Sequence, residues 1–312
     1  MPSFLAMDLR QLHAFLAVVD HHGFTAAAKA THTVQSNIST HVARLEKELG
    51  ATLIDRSTGR PTQEGEAVLV RVRRIQNELT SLESDVSSLR GSPRGVVKVG
   101  MIGTTARWLA PLLADKLATA APEIQLVVAD GTTRSLELRL LDGELDLGVV
   151  SLPVDDSEIA TYALFNEDHI VVAPKDHPLA KASGEVTLSE LARYPILLAA
   201  PGTPFRQEVD DAFRSVGLRL KPKMEVDGLR LLASMAFQGY GVSIVPATAA
   251  PGWISGPWIR IPVSGLSRRT VGIARRRRGM PTVAAQTAER AIRALTTERA
   301  PDVPGLQLVK PG

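Results

Sequence analysis

Seven polar side chains, Gln35, Ser36, Asn37, Thr40, His41, Arg44 and Lys47, are interleaved with four apolar ones, Ile38, Val42, Leu45 and Leu49, whose spacing is 4, 3 and 4. That spacing places the apolar residues along one face of a helix and predicts that they are buried. The polar residues are left on the other faces. Amides, hydroxyls, an imidazole and a guanidinium at the start of such a helix carry the donors and acceptors that bond base edges in a DNA major groove. An ordinary solvated helix face explains the same pattern about as well. Charge does not separate the two readings. Residues 1–63 carry six bases (Arg10, Lys29, Arg44, Lys47, Arg56, Arg60) against five acids (Asp8, Asp20, Glu46, Glu48, Asp55). Five of the seven histidines also lie there, so local positive charge should grow below about pH 6.5.

Three helical patterns must position these groups. Leu9, Leu12, Phe15, Leu16 and Val19 form the apolar stripe of the first, which Gly23 stops. Phe24 then precedes Thr25 as a candidate N-cap, and Ala26, Ala27, Ala28 and Ala30 make a small-residue helix suited to close packing. A polar turn over Thr31–Val34 leads to the third helix, from Gln35 to a stop at Gly50. The spacing of the second and third helices fits a helix-turn-helix. Leu53–Arg56 and Arg60–Thr62 around Ser57-Thr58-Gly59 predict a β-hairpin wing. From Glu64 to Arg90 the residues Val68, Val72, Ile75, Leu79, Leu82, Val86 and Leu89 repeat as a heptad seam. The seam predicts a helix roughly 40 Å long. Packing on its own domain would satisfy the seam, but its length favours homodimerisation.

Gly91–Gly95 breaks this pattern, and strands then alternate with helices. Strand patterns fall at 96–100, 124–129, 145–150, 170–173, 196–199, 242–245 and 271–274. Helical patterns fall at 108–120, 136–141, 209–216, 229–237 and 283–295. Such alternation predicts an α/β domain with mostly parallel sheets. The tail from Ala300 to Gly312 reads as disordered.

A chain of 312 residues suits two domains, and 44% apolar residues suit a soluble fold. A net charge of +3 permits nucleic acid as partner without arguing for it. Cysteine is absent, which excludes disulfides, thiolate metal sites and cysteine nucleophiles and fits a reducing cytoplasm. No apolar run reaches the length of a membrane span, no signal peptide is recognisable, and Met7 reads as an alternative start. Phosphate-binding, dinucleotide, nucleophile-elbow and zinc-protease motifs are missing, so neither an enzyme nor a cofactor is expected. His169 and His177 lie far from other ligands, so no metal site is expected. Arg275–Arg278 reads as a solvated strand end. Asn37-Ile38-Ser39 matches a glycosylation sequon, but its place in a base-reading helix argues against use.

The segments "LRQLHAFLAVVDHHGFTAAAKA", "VQSNISTHVARLEKELGATLIDRS" and "TQEG" resemble the DNA-binding domain of LysR-type transcriptional regulators. Further on, "LDGELDLGVV", "VVAPKDHPLA" and "GYGVSIVP" are similar to phrases of the same family, so the resemblance covers nearly the whole chain. It departs where the family often has Ser-Gln-Pro and this chain has Val34-Gln35-Ser36, which removes a good N-cap and leaves Thr33 as substitute. Thr40 stands where the family often has Arg.

The resemblance implies a winged helix-turn-helix over 8–65, a dimerisation helix over 64–90 and an effector domain over 94–298, followed by a tail over 299–312. The effector domain would have the two-lobe α/β form of periplasmic binding proteins, with lobe one over 94–165 and 267–298 and lobe two over 166–266. Operator DNA would meet Gln35, Ser36, Asn37, Thr40, His41 and Arg44, with Arg56 and Arg60 of the wing on phosphates. A salt bridge to a neighbouring acid is the plainer role for Arg56. A small anionic effector would lie between the lobes against Thr104, Thr105, Ser151, Thr203, Phe205, Gly228 and Pro246, with Arg206 near. Helix N-termini suit an anion, although simple capping is the commoner role of such Thr and Ser residues. The family also implies a tetramer built from dimers. A solute-binding module without DNA function and a two-lobe enzyme remain as other classes.

Overall fold

The computed structural model describes residues 7–88, 92–181 and 184–309. The chain divides into two compact units, and the division falls within the long helix near Glu83.

The first unit opens on α1 (Leu9–Asp20), α2 (Phe24–Ala30) and α3 (Gln35–Leu49), followed by α4 (Gln63–Ser88). Asp8 begins α1 with a capping box: it accepts from the Gln11 amide at 2.9 Å, and Gln11 returns the bond to the Asp8 amide. Phe15, Val18, Ala27, Val42, Leu45, Leu53 and Ile54 are fully buried at the centre, where Ala27 and Ala28 let α2 approach closely. Leu9 and Leu49, expected inside, are exposed, because each lies at an outer end of its stripe.

Two caps differ from expectation. Gly23, not Thr25, is the N-cap of α2. Val34, not Thr33, is the N-cap of α3, and no side chain caps that helix. Gly50 ends α3 in the left-handed conformation. The wing is a minimal hairpin, with one bridge between Ile54 and Pro61 and a bond from the Asp55 amide to the Arg60 carbonyl at 2.9 Å. Gly65 in α4 packs so close to the wing that a Cβ there would stand 2.1 Å from the Leu53 carbonyl oxygen.

The seam of α4 is used in two ways. Val72 is buried and Val68 half-buried in the unit's own core, so its first two positions are already satisfied. Ile75, Leu82 and Val86 are exposed, with Leu82 at 62%. Leu89 lies outside the described residues.

The second unit contains two sheets. Lobe one holds β1 (Gly95–Ile102), α5 (Gly103–Ala120), β2 (Ile124–Gly131), α6 (Thr133–Leu141), β3 (Leu147–Leu152) and β4 (Ile159–Glu167). Lobe two holds β5 (His169–Pro174), α7 (Leu188–Leu191), β6 (Pro195–Ala199), α8 (Pro204–Ser215), β7 (Lys221–Val226), α9 (Leu229–Phe237), β8 (Val242–Pro246) and β9 (Trp258–Pro262). The chain returns to lobe one as β10 (Arg269–Arg276), α10 (Val283–Arg299) and β11 (Leu306–Leu308). Strand order is β11-β4-β10-β3-β1-β2 in the first sheet and β7-β6-β8-β5-β9 in the second. Asp168 alone joins β4 to β5, and residues 263–268 join β9 to β10, so these are the two crossing connections.

Both sheets are mixed rather than mostly parallel. β1 pairs parallel to β2 and β3, and β6 to β7 and β8. The crossing strands β4, β5, β9 and β10 all pair antiparallel, since each leaves or enters its lobe against the direction of its neighbours.

The tail is not disordered up to residue 309. Val303 and Leu306 are buried, and β11 adds an antiparallel edge to β4 at Phe165–Glu167. The Asp168 amide donates to the Gly305 carbonyl at 2.8 Å, and Arg260 donates to the Pro304 carbonyl at 2.9 Å. The expected domain limits at 165 and 298 therefore fall inside β4 and one residue before the end of α10. Short apolar spacing hid the tail: Val303, Leu306 and Leu308 are too few to show a period.

Candidate nucleic-acid interface and effector site

Ile38, Val42 and Leu45 are buried and fix the roll of α3. Gln35, Ser36, Asn37, Thr40, Arg44 and Lys47 are consequently exposed, whereas His41 is half-buried with Nδ1 unpartnered. Local bonds orient the two amides. The Thr25 hydroxyl donates to Gln35 Oε1 at 3.1 Å, which leaves the Gln35 NH2 group as the outward donor. Asn37 Nδ2 donates to Thr33 Oγ1 at 3.1 Å, which leaves Oδ1 as the outward acceptor. Thr33 thus serves Asn37 rather than the helix end. Thr40 donates to the Ser36 carbonyl at 2.8 Å.

Glu46 ties the wing to α3. Its Oε1 accepts from the Leu53 and Ile54 amides at 2.8 and 3.2 Å, and its Oε2 pairs with Arg56 at 3.1 Å. Arg56 also lies 4.8 Å from the centre of the Phe24 ring. Arg56 therefore has the structural partner that the plainer reading gave it. Among the described residues the Arg60 guanidinium has no partner, and it is exposed. The sequence reading missed Glu46; its signal was an acid between the buried Val42, Leu45 stripe and the polar face.

In the second unit Thr104 and Thr105 do not precede a helix. They lie in the first turn of α5, which begins at Gly103, and both are buried. Thr104 Oγ1 accepts from Arg269 Nη2 at 2.7 Å, while Thr105 Oγ1 is buried with no partner. Arg230 of lobe two pairs with Asp130 of lobe one directly over this helix start: a Cβ on Gly103 would stand 2.8 Å from Asp130 Oδ1 and 2.9 Å from Arg230 Nε.

Arg269 continues to Glu167, with 2.6 Å between Nε and Oε2, and Glu167 Oε1 accepts from the Thr248 amide at 2.6 Å. His169 follows. Its ring lies edge-on to Phe205 at 5.2 Å, and its Nδ1 is 2.8 Å from the Ser267 carbonyl and therefore carries the proton. Nε2 is buried without a partner. Burial, aided by the Arg269 charge, lowers the His169 pKa to about 4. Glu208, 4.0 Å from His169, has its pKa raised by burial.

The remaining expected residues stand apart from this network. Ser151 lies inside β3 rather than after it, and its amide donates to Thr133 Oγ1 at 3.1 Å. Thr203 is the N-cap of α8, accepting from the Arg206 amide at 3.3 Å. Gly228 is the N-cap of α9 with φ of 99°, and Pro246 ends β8 opposite His169. Arg206 is not free for a ligand, since Asp210 and Glu225 hold it at 2.9 and 2.8 Å. Sequence reasoning missed Asp130, Glu167, Arg230, Thr248 and Arg269. Glu167 and Arg269 sit on crossing strands whose length and pairing no short motif announces.

Arg275 and Arg276 end β10, and Arg277 donates to the Ser157 and Ile159 carbonyls. No helix among the described residues is long and apolar enough to cross a membrane.

The family model described as a bacterial regulatory helix-turn-helix protein of the lysR family matches residues 9–66. The model of the LysR substrate binding domain matches residues 90–296. A probable hydrogen peroxide-inducible genes activator of Mycobacterium leprae is 31% identical over 243 residues, covering 77% of this chain and 78% of that one. The HTH-type transcriptional regulator cbl of Escherichia coli is 28% identical over 244 residues, or 77% of each chain. A solved full-length OxyR variant from Pseudomonas aeruginosa superposes with a TM-score of 0.72 at 26% identity, over 98% of this chain and 99% of that one. CbnR in complex with its target DNA shares the fold, with a TM-score of 0.68 at 23% identity, over 92% of this chain and all of that one. Helix-turn-helix, long helix and two-lobe domain thus match in order and extent, and the chain belongs to the LysR family of transcriptional regulators, with a DNA-binding N-terminal unit and an effector-binding C-terminal one.

Proposed function

We propose that α3 reads operator DNA through Gln35, Ser36, Asn37, Thr40, His41 and Arg44, with Arg60 and, more weakly, Arg56 on the phosphates. The observation that carries this reading is the pre-oriented pair of amides on the exposed face of α3. Gln35 offers donors suited to G or T acceptors, and Asn37 offers an acceptor suited to the amino group of A or C. The full chain should shift a selected operator duplex at concentrations that leave unrelated duplex unbound. Equal affinity for both would refute sequence reading.

The effector is a small carboxylate, bound where α5 begins between the lobes. Asp130 supports this reading, because its own carboxylate already occupies the place a ligand carboxylate would take, against Arg230 and the first turn of α5. A bound carboxylate replaces Asp130 as the partner of Arg230 and so shifts the balance between lobe arrangements by its difference in affinity for them. Thr203, Phe205, Ser151, Gly228 and Pro246 line the same cleft in this reading, with Thr203 also capping α8. A thermal-shift screen of small carboxylates and aromatic acids tests it. The hit should raise Tm in the wild type and not in Arg230→Ala, and Thr104→Val with Thr203→Val should abolish the response of the footprint. A response retained in all variants removes this cleft as the sensor.

The relatives named for hydrogen peroxide do not lend their signal simply. This chain has no cysteine, so a thiol switch is not open to it. The protein acts without catalysis, in the cytoplasm, as a dimer joined through α4 and a tetramer formed from such dimers. The exposed Ile75, Leu82 and Val86 support the α4 contact.

A further inference from the structure

Val34 combines two features that each cost the fold something. It is the N-cap of α3, a position where Ser, Thr, Asp or Asn would satisfy a free amide, and its side chain bonds nothing there. It is also an isopropyl group 60% exposed, beside the exposed Gln35, Ser36 and Asn37. The Asn37 and Ile38 amides reach the Val34 carbonyl at 3.0 and 3.5 Å, whereas a side-chain cap at this position would have served the amide of Ser36 or Asn37. No apolar cluster of the first unit includes Val34. Among the described residues the other exposed large apolar side chains of this unit lie elsewhere: Leu9 and Leu49 at helix ends, and Ile75 and Leu82 on α4.

The N-terminal end of a recognition helix is the part that meets base edges. Thymine alone among the four bases presents a methyl group in the major groove, and an apolar side chain is its complement. An isopropyl group held at that end of α3 has no donor or acceptor with which to read anything else. We infer that Val34 is a specificity-determining residue that recognises a thymine C5-methyl at one position of each operator half-site. This deepens the proposed DNA-reading role of α3 and rests on it.

Methyl removal tests it without altering any hydrogen bond. An operator is first selected from random duplex with the full-length protein, and each dT is then replaced singly by dU. One position per half-site should lose about threefold to tenfold in affinity, as for the burial of roughly one methyl group. Converting that dT·dA pair to 5-methyl-dC·dG should keep more affinity than dC·dG does. In Val34→Ala the same dU replacement should cost less than twofold. Val34→Ser should bind the dT and dU operators equally, and its restored cap should hold or raise Tm, which separates lost recognition from lost folding. A selected operator with no methyl-sensitive dT overturns the inference, and so does a dU penalty unchanged in Val34→Ala. If no operator can be selected, the DNA-reading role of α3 itself fails, and the methyl contact fails with it.

Discussion

Arg269 and Glu167 form an ion pair at 2.6 Å in which the arginine side chain is 10% exposed and the glutamate side chain 0%. Arg269 opens β10 and Glu167 closes β4, so the pair links the first residue after one crossing connection to the last before the other. Its remaining bonds run to Thr104 at the start of α5 and to the Thr248 amide of lobe two. The pair therefore has the extra hydrogen bonds without which two buried charges do not recover their lost hydration.

Arg269→Met should destabilise the second unit by about 3–5 kcal/mol, because it leaves the Glu167 charge buried and alone. Denaturant midpoints of the full-length protein measure this. Adding Glu167→Gln should recover much of the loss, since the amide still accepts from Thr248. A double variant no more stable than the single one would show that the pair contributes by shape alone.

The His169 pKa of about 4 lies below the ordinary 6.5. Between these values the unfolded chain binds a proton that the folded chain refuses. Stability is thus fully present above about pH 6.5 and is lost as pH falls toward 4. The loss approaches ~3 kcal/mol at the acid end. Glu208 acts with opposite sign: its raised pKa means stability is lost as pH rises through the folded value from near 4.5. His169→Gln should flatten the acid limb between pH 6.5 and 4 in melting curves. An unchanged limb would place the acid sensitivity elsewhere.

Thr25→Val removes the hydroxyl that fixes the Gln35 amide. Both orientations of the amide then become available, so preference at one base pair should relax by roughly 1–3 kcal/mol in discrimination, with non-specific affinity unchanged. Competition binding against single-base operator variants reads this out. A uniform loss across all sequences would assign Thr25 to folding.

Arg60→Ala should weaken binding to every sequence and reduce the slope of log affinity against log salt by about 0.9, as for one lost phosphate contact. Arg56→Ala should change that slope less, because Glu46 already holds its charge. The reverse ranking would mean that Arg56 leaves Glu46 when DNA arrives.

Ile75→Lys with Leu82→Lys should yield monomers in sedimentation and weaken operator binding by loss of avidity. The same change at Val72 would instead damage the first unit, whose core holds it. Full mass retained in the double variant would remove α4 from the dimer contact.

Periodicity made most of the fold readable. The stripe of α3, the span of α9 and the start of α10 follow directly from apolar spacing long enough to repeat. β4 and β9 were unread because Ile159–Glu167 and Trp258–Pro262 mix exposed and buried residues on strands that change lobe. Site residues divided on similar lines. The exposure of the α3 candidates was legible because one buried stripe determines every other direction on a helix. Asp130, Glu167, Arg230 and Arg269 are far apart in sequence, and pairing over 100 or more residues leaves no local trace.

The terminal strand β11 carries a consequence for how the gene tolerates damage. A stop codon near Ala300 would spare every residue proposed to read bases and the whole apolar stretch of α4. It would remove the carbonyls of Pro304 and Gly305 that hold Arg260 and Asp168, and with them the edge pairing of β4 at Phe165–Glu167. The shortened product would still find its operators, but with its signal-receiving half loosened at the joint. In a cell holding both alleles it would compete with intact protein for the same promoters, so a loss confined to the last dozen codons would behave as a dominant trait rather than a recessive one.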